Sequence, residues 1–144
     1  LRCLVGSEMC IRDRDIYIGS DFRSYSYQVD VYESYCETYG WEMADTFSAR
    51  PGFSEHQTGL TIDCNTIDDA FGQTKEAQWL AEHCADYGFI IRFPDGKEDI
   101  TGYQYEPWHI RYVGVDTAKE IDQLGVSLEE YLGVQSEYTG PWEH

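Results

Sequence analysis

The sequence predicts an α+β domain in which helices flank a small, mainly antiparallel sheet. Four short runs, "DIYIGSDF", "GLTIDC", "FIIRF" and "HIRYVG", have the length, residue types and bounding turn signals of strands. Other stretches carry helical periodicity with recognisable start and stop residues. The two kinds alternate without a regular strand–helix–strand repeat, which argues against a parallel sheet. At 144 residues the chain suits one domain, and aromatic residues at 15% supply the bulk for a real core.

Taken in order, residues 1–14, "LRCLVGSEMCIRDR", have neither period and resemble a translated adaptor tract. They are expected to be a non-native or disordered segment, leaving 15–144 as the domain. Ile16 and Ile18 mark the first strand, and residues 20–24 turn the chain. A helix is expected from Ser24 to Tyr39, with Ser24 as N-cap and Gly40 as its stop. "WEMADTFSA" reads as a second, short helix ended by Pro51-Gly52. After the strand "GLTIDC" comes "TKEAQWLAEHCADYG", a helix closed by Gly88, and then "FIIRF", ended by Pro94-Asp95-Gly96. Beyond "HIRYVG", the segments "DTAKEIDQLG" and "SLEEYLG" read as acidic helices capped by Asp116 and Ser127.

Composition narrows the function classes. With 27 acidic against 10 basic residues, the formal charge of −17 disfavours nucleic acid or an anionic membrane as partner. No apolar run approaches the roughly 18 residues of a membrane span, and the first residues lack the pattern of an export signal. Cys3 and Cys10 lie in the excluded segment. Cys36, Cys64 and Cys84 are an odd number at irregular spacing, which signals neither a disulfide framework nor a cysteine zinc site. Cys36 shares a helical stripe with Tyr25, Val29, Tyr32 and Tyr39, and Cys84 one with Ala77, Leu80 and Ala81, so both read as core residues. One disulfide among the three stays open.

Of four histidines, His144 is terminal and His83 sits within a helix. His56 and His109 each stand at the mouth of a strand with acidic company, Asp63 and Glu106 respectively. Two histidines and a carboxylate form a zinc shell that leaves a fourth position for water, and a spare carboxylate could take that water's proton. Spacing alone leaves the bland reading open: hydrogen-bonded histidines and a turn-capping aspartate. Alternation in "GLTIDC" sends Leu60, Ile62 and Cys64 to one face and Gly59, Thr61 and Asp63 to the other, which argues against Cys64 as a ligand. His109 and Glu106 are three apart, so a regular strand would separate them, but Pro107 breaks the strand and permits a bend.

The blocks "SARPGFSEHQTGLTID" and "YEPWHIRYVG", with "FRSYSYQ" upstream, resemble the signature blocks of D-alanyl-D-alanine carboxypeptidases of the VanY type. These zinc peptidases share a fold with lysostaphin-like enzymes and Hedgehog domains. The similarity in block order runs from about residue 15 to residue 133. It implies zinc ligands at His56, Asp63 and His109, a catalytic base at Glu106, and substrate contacts at Arg23, Gln28 and Ser54. Trp108 is expected either to wall the D-Ala pocket or to be an ordinary core aromatic, and Arg50 and Arg111 to be salt-bridged or at the surface. Departures are Asp21 and Thr61, where relatives often carry Gly and Ala, and the absence of the family's N-terminal helix from 15–144.

The resemblance thus implies a Zn2+-dependent hydrolase that removes the C-terminal D-Ala from peptidoglycan stem peptides, by D,D or L,D cleavage. It would act outside the cytoplasmic membrane, as a monomer. The competing expectation is a zinc-containing domain that binds cell-wall peptide or a protein partner without cutting it. Glu106 beside a complete ligand set favours the enzyme, because a structural zinc has no use for a base.

Overall fold

The computed structural model describes residues 16–136, 138 and 140–142. The segment 1–14, with Cys3 and Cys10, and the terminal His144 lie outside the described residues. Four strands, β1 (Ile18–Ser20), β2 (Thr61–Cys64), β3 (Phe89–Ile91) and β4 (His109–Tyr112), form one sheet in the order β1-β2-β4-β3. Every pairing is antiparallel. Among the described residues, six helices surround it: α1 (Tyr25–Tyr39), α2 (Trp41–Ala44), α3 (Lys75–His83), α4 (Glu98–Thr101), α5 (Val115–Leu124) and α6 (Leu128–Leu132). None of them is long and apolar enough to cross a membrane.

Local chemistry sets most boundaries. Ser24 caps α1 by accepting the Tyr27 N–H, and Gly40, at φ 82°, ends it where a side chain would be strained. Thr74 caps α3 in the same way. Ser127 and Glu130 form a reciprocal capping box at the start of α6. At α5 the expectation fails: Gly114, not Asp116, occupies the cap, and Asp116 falls in the first turn, where its charge meets the positive end of the helix. The second helix stops at Ala44 because Asp45 is drawn into bonds with Tyr32 Oη (2.6 Å) and Arg50 Nη2 (2.7 Å). β3 ends at Ile91, earlier than the run "FIIRF" suggests, because Arg92 turns into buried ion pairs.

The main core packs Ile62, Cys64, Leu80, Phe89, Trp108 and Ile110 under one face of the sheet. A second cluster joins Ile90 to Ala118 and Ile121 of α5. Of the stripe expected on α1, only Tyr32 is buried. Tyr25 and Tyr39 are exposed and Val29 and Cys36 half-buried, while Gln28 and Tyr32 are fully enclosed. Their polar ends are satisfied, Gln28 by donating to the Ala49 carbonyl and Tyr32 by donating to Asp45, so a helix with weak apolar patterning can bury them. On α3, Ala77, Leu80 and Cys84 are buried as expected but Ala81 is exposed. Cys36, Cys64 and Cys84 are free thiols.

Candidate active site

β2 and β4 place the two central groups by register. Asp63 lies directly opposite His109, and Ile62 opposite Ile110, so the polar pair shares one face and the apolar pair the other. His56 arrives from a 3₁₀ turn, Glu55–Thr58, whose Gly59 at φ 72° reverses the chain into β2. The His56 ring crosses that of His109 at 5.1 Å and 89°. Candidate ligand atoms of His56, Asp63 and His109 fall within 4.8 Å of one another, and all three side chains are buried.

Protonation and hydrogen bonding fit this trio to a cation. His56 Nδ1 donates to the Asp21 carbonyl at 2.7 Å, which leaves Nε2 with a lone pair facing Asp63 Oδ2 at 3.2 Å. His109 turns Nδ1 toward Asp63 Oδ1 at 3.1 Å, a close approach without hydrogen-bond alignment, so the buried Oδ1 has no hydrogen-bond partner. A buried carboxylate oxygen left in that state is costly unless a cation completes it. Burial opposes ionisation of Asp63, but the two imidazoles outweigh it and hold the group well below the usual carboxylate range. The donors, two imidazoles and a carboxylate with room for a fourth ligand, suit zinc chemistry.

Glu106 completes the cluster. Its amide donates to the Phe93 carbonyl, and the His109 amide donates back to the Glu106 carbonyl across the Pro107-Trp108 turn. That bend brings Glu106 Oε2 within 3.4 Å of His109 Nδ1 despite the odd spacing. Burial raises the Glu106 pKa to about 7; His109 opposes the rise and the Asp63 charge adds to it. For His109, burial alone would lower the pKa, yet Asp63 and Glu55 raise it to about 9.

Arg23 reaches the centre from the β1–α1 turn. Its Nη2 donates to Asp63 Oδ2 at 2.9 Å and lies 3.3 Å from His56 Nε2; its Nη1 donates to Gln28 Oε1 at 3.3 Å. Gln28 does not line the cleft as expected of a substrate contact. It is fully buried and holds Arg23 from behind. Ser54 lines the cleft, and Trp108 both lines it and packs in the main core. The cleft measures about 990 Å³ and runs from the metal-binding groups past Phe93 and Tyr103 to Tyr27, Phe47 and Tyr138.

Sequence reasoning passed over Glu55, Arg92 and Glu129. Arg92 donates to Glu55 (2.8 Å) and, through two nitrogens, to Glu129 of α6 (2.6 and 3.0 Å). Arg111 also bonds Glu55, at 3.1 Å, while Arg50 is buried against Asp45. The available signal was alternation on β4, which sets Arg111 on the His109 face and so asks for an acidic partner there.

The model of the VanY D-alanyl-D-alanine carboxypeptidase family matches residues 8–115. The chain belongs to this family. A D-alanyl-D-alanine carboxypeptidase of Enterococcus faecalis is 45% identical over 92 residues, which cover 64% of this chain and 34% of that protein. An L,D-carboxypeptidase, DacB, of Streptococcus pneumoniae has a solved structure that superposes with a TM-score of 0.71 at 49% identity, covering 81% of this chain and 64% of DacB. A vancomycin-resistance D,D-pentapeptidase VanY mutant, solved with Zn(II), gives 0.73 at 37% identity, covering 81% of this chain and 71% of that one. The chain therefore spans about a third of the curated VanY relative's length and roughly two thirds of DacB.

Proposed function

We propose that this protein is a zinc-dependent carboxypeptidase that removes the C-terminal D-Ala from peptidoglycan stem peptides. The carrying observation is the buried His56-Asp63-His109 cluster with Glu106 Oε2 3.4 Å from His109 Nδ1. His56, Asp63 and His109 would hold zinc, which when bound would supply Lewis acidity to a water molecule and to a scissile carbonyl. Glu106, beside His109 at 3.4 Å, is the carboxylate placed to take the proton from the attacking water and return it to the leaving amine. Its burial keeps competing water from that proton.

Arg23 binds the free carboxylate of the terminal residue, since a guanidinium offers two parallel donors to it, and Gln28 orients Arg23 from behind. Ser54 adds a hydroxyl from the cleft wall, and Trp108 presents an apolar surface to the small D-Ala side chain. The proposed site needs no residue from a second copy, and we propose that the protein acts as a monomer. Its substrate places its action in the cell wall, outside the cytoplasmic membrane.

The test is release of D-Ala from stem pentapeptide and tetrapeptide, with and without a chelator. Metal-dependent release from either supports the proposal, and the substrate that reacts assigns the cleavage as D,D or L,D. A folded, zinc-loaded protein that binds stem peptide yet releases no D-Ala from either would make it the non-cutting binding module.

A further inference from the structure

We infer that Glu55 is a positioning residue for the metal centre: its carboxylate holds the Nε2–H of His109 and so fixes the ring orientation that offers Nδ1 to the metal. This rests on the zinc reading above. His109 has two distinct sides. Nδ1 faces Asp63 Oδ1 at 3.1 Å and Glu106 Oε2 at 3.4 Å, while Nε2 points the other way and has Glu55 Oε2 at 3.7 Å. An imidazole that binds a metal through Nδ1 must carry its proton on Nε2, and that nitrogen is buried with no hydrogen-bond partner. A movement of under about 1 Å turns the 3.7 Å approach into a hydrogen bond.

Glu55 is built for that role. Its Oε1 is occupied by Arg92 Nε at 2.8 Å and Arg111 Nη1 at 3.1 Å. Its Oε2 receives Thr61 Oγ1 at 3.3 Å and lies 3.7 Å from His109 Nε2. Arg92 is in turn clamped by Glu129 of α6, which is fully buried. The four side chains Glu55, Arg92, Arg111 and Glu129 sum to zero charge, so the network orients the imidazole without adding net negative charge beside the metal. Glu55 also faces the side of the ring opposite the ligand nitrogen, which removes it as a rival to Glu106 for the water's proton. Carboxylate partners of this kind change metal affinity by about 10- to 100-fold.

The experiment compares zinc affinity of the wild type and Glu55→Gln by competition with a chromophoric chelator, with circular dichroism to confirm folding. The expected result is a 10- to 100-fold loss of affinity in a folded variant. In zinc-loaded wild type, proton NMR should show the His109 Nε2–H shifted far downfield as well as slow to exchange, the signature of a hydrogen bond to a carboxylate that metal binding through Nδ1 and burial do not give by themselves. That measurement decides the matter if Glu55→Gln does not fold, and a structural role for Glu55 alone would not produce it. Affinity within about twofold of wild type, or an Nε2 proton that exchanges fast or lacks the downfield shift, overturns the inference while leaving the zinc reading intact. A wild type that takes up no zinc overturns the zinc reading itself, and this inference with it.

Discussion

Along β2, Ile62 and Cys64 turn into an apolar core, while Thr61 and Asp63 turn to the opposite face and meet charge. β4 repeats the division, with Ile110 on one side and His109 and Arg111 on the other. Side chains on both faces are buried, but by different physics. The apolar face gains about 25 cal/mol for each Å² removed from water and needs only shape. On the polar face, each charge costs several kcal/mol to bury, and only a matched partner recovers it. Glu55, Arg92, Arg111 and Glu129 meet that condition among themselves. Asp63, His56, His109 and Glu106 do not: Asp63 Oδ1 and His109 Nε2 are left without hydrogen bonds, and Glu106 is held near neutrality by its surroundings. One face carries the main core, and the other has unsatisfied polar groups at its centre.

Glu106→Gln should break the comparison most sharply. It keeps the shape and removes the titrating proton, so kcat for D-Ala release should fall by about 10²- to 10⁴-fold. Zinc content, measured by atomic absorption, should stay at the wild-type level. Activity close to wild type would take the base away from Glu106.

On the opposite face, Leu80→Ala should do the reverse. Leu80 is fully buried in the main core, so its truncation leaves a cavity and should lower unfolding free energy by about 2–5 kcal/mol in urea titrations. Per folded molecule, turnover should match wild type. A large loss of turnover in the folded fraction would mean that the two faces are mechanically coupled.

The apolar face was largely legible in the sequence because period and burial coincide there: Ile62, Leu80 and Ile110 repeat with the strand or helix that carries them. The clustering of His56, Asp63 and His109 was legible through the resemblance, and alternation on β2 sent Asp63 and Cys64 to opposite faces as observed. What stayed hidden is long-range and polar. Glu55 and Arg92 are 37 residues apart, as are Arg92 and Glu129, and no local period announces such pairs. For the same reason α1 was read by its tyrosines, whereas Gln28 is buried because Ala49 and Arg23, neither of them on the helix, satisfy its amide. Asp116 misled because acidic residues favour both the cap and the first turn, and the φ of 88° at Gly114 decided between them.

The smallest expected effect reads the same asymmetry through pH. In chelator-treated protein the Glu106 pKa is raised to about 7 by burial, so the native state holds this proton more tightly than the unfolded chain. Its contribution is complete below about pH 4.5 and is lost as pH rises through about 7. His109, raised to about 9, adds a loss of the same sign from about 6.5 upward. Asp63 and Glu55, both depressed, lose their contributions only as pH falls below the ordinary carboxylate range, so they leave this window untouched. Stability without metal should therefore decline from about pH 5 to about pH 9, by at most about 1.4 kcal/mol per pH unit for each group. Urea midpoints across that range measure it, and Glu106→Gln should flatten the part below about pH 7 while sparing the part above. An unchanged slope in the variant would mean that the charge left unsatisfied on the polar face resides somewhere other than Glu106.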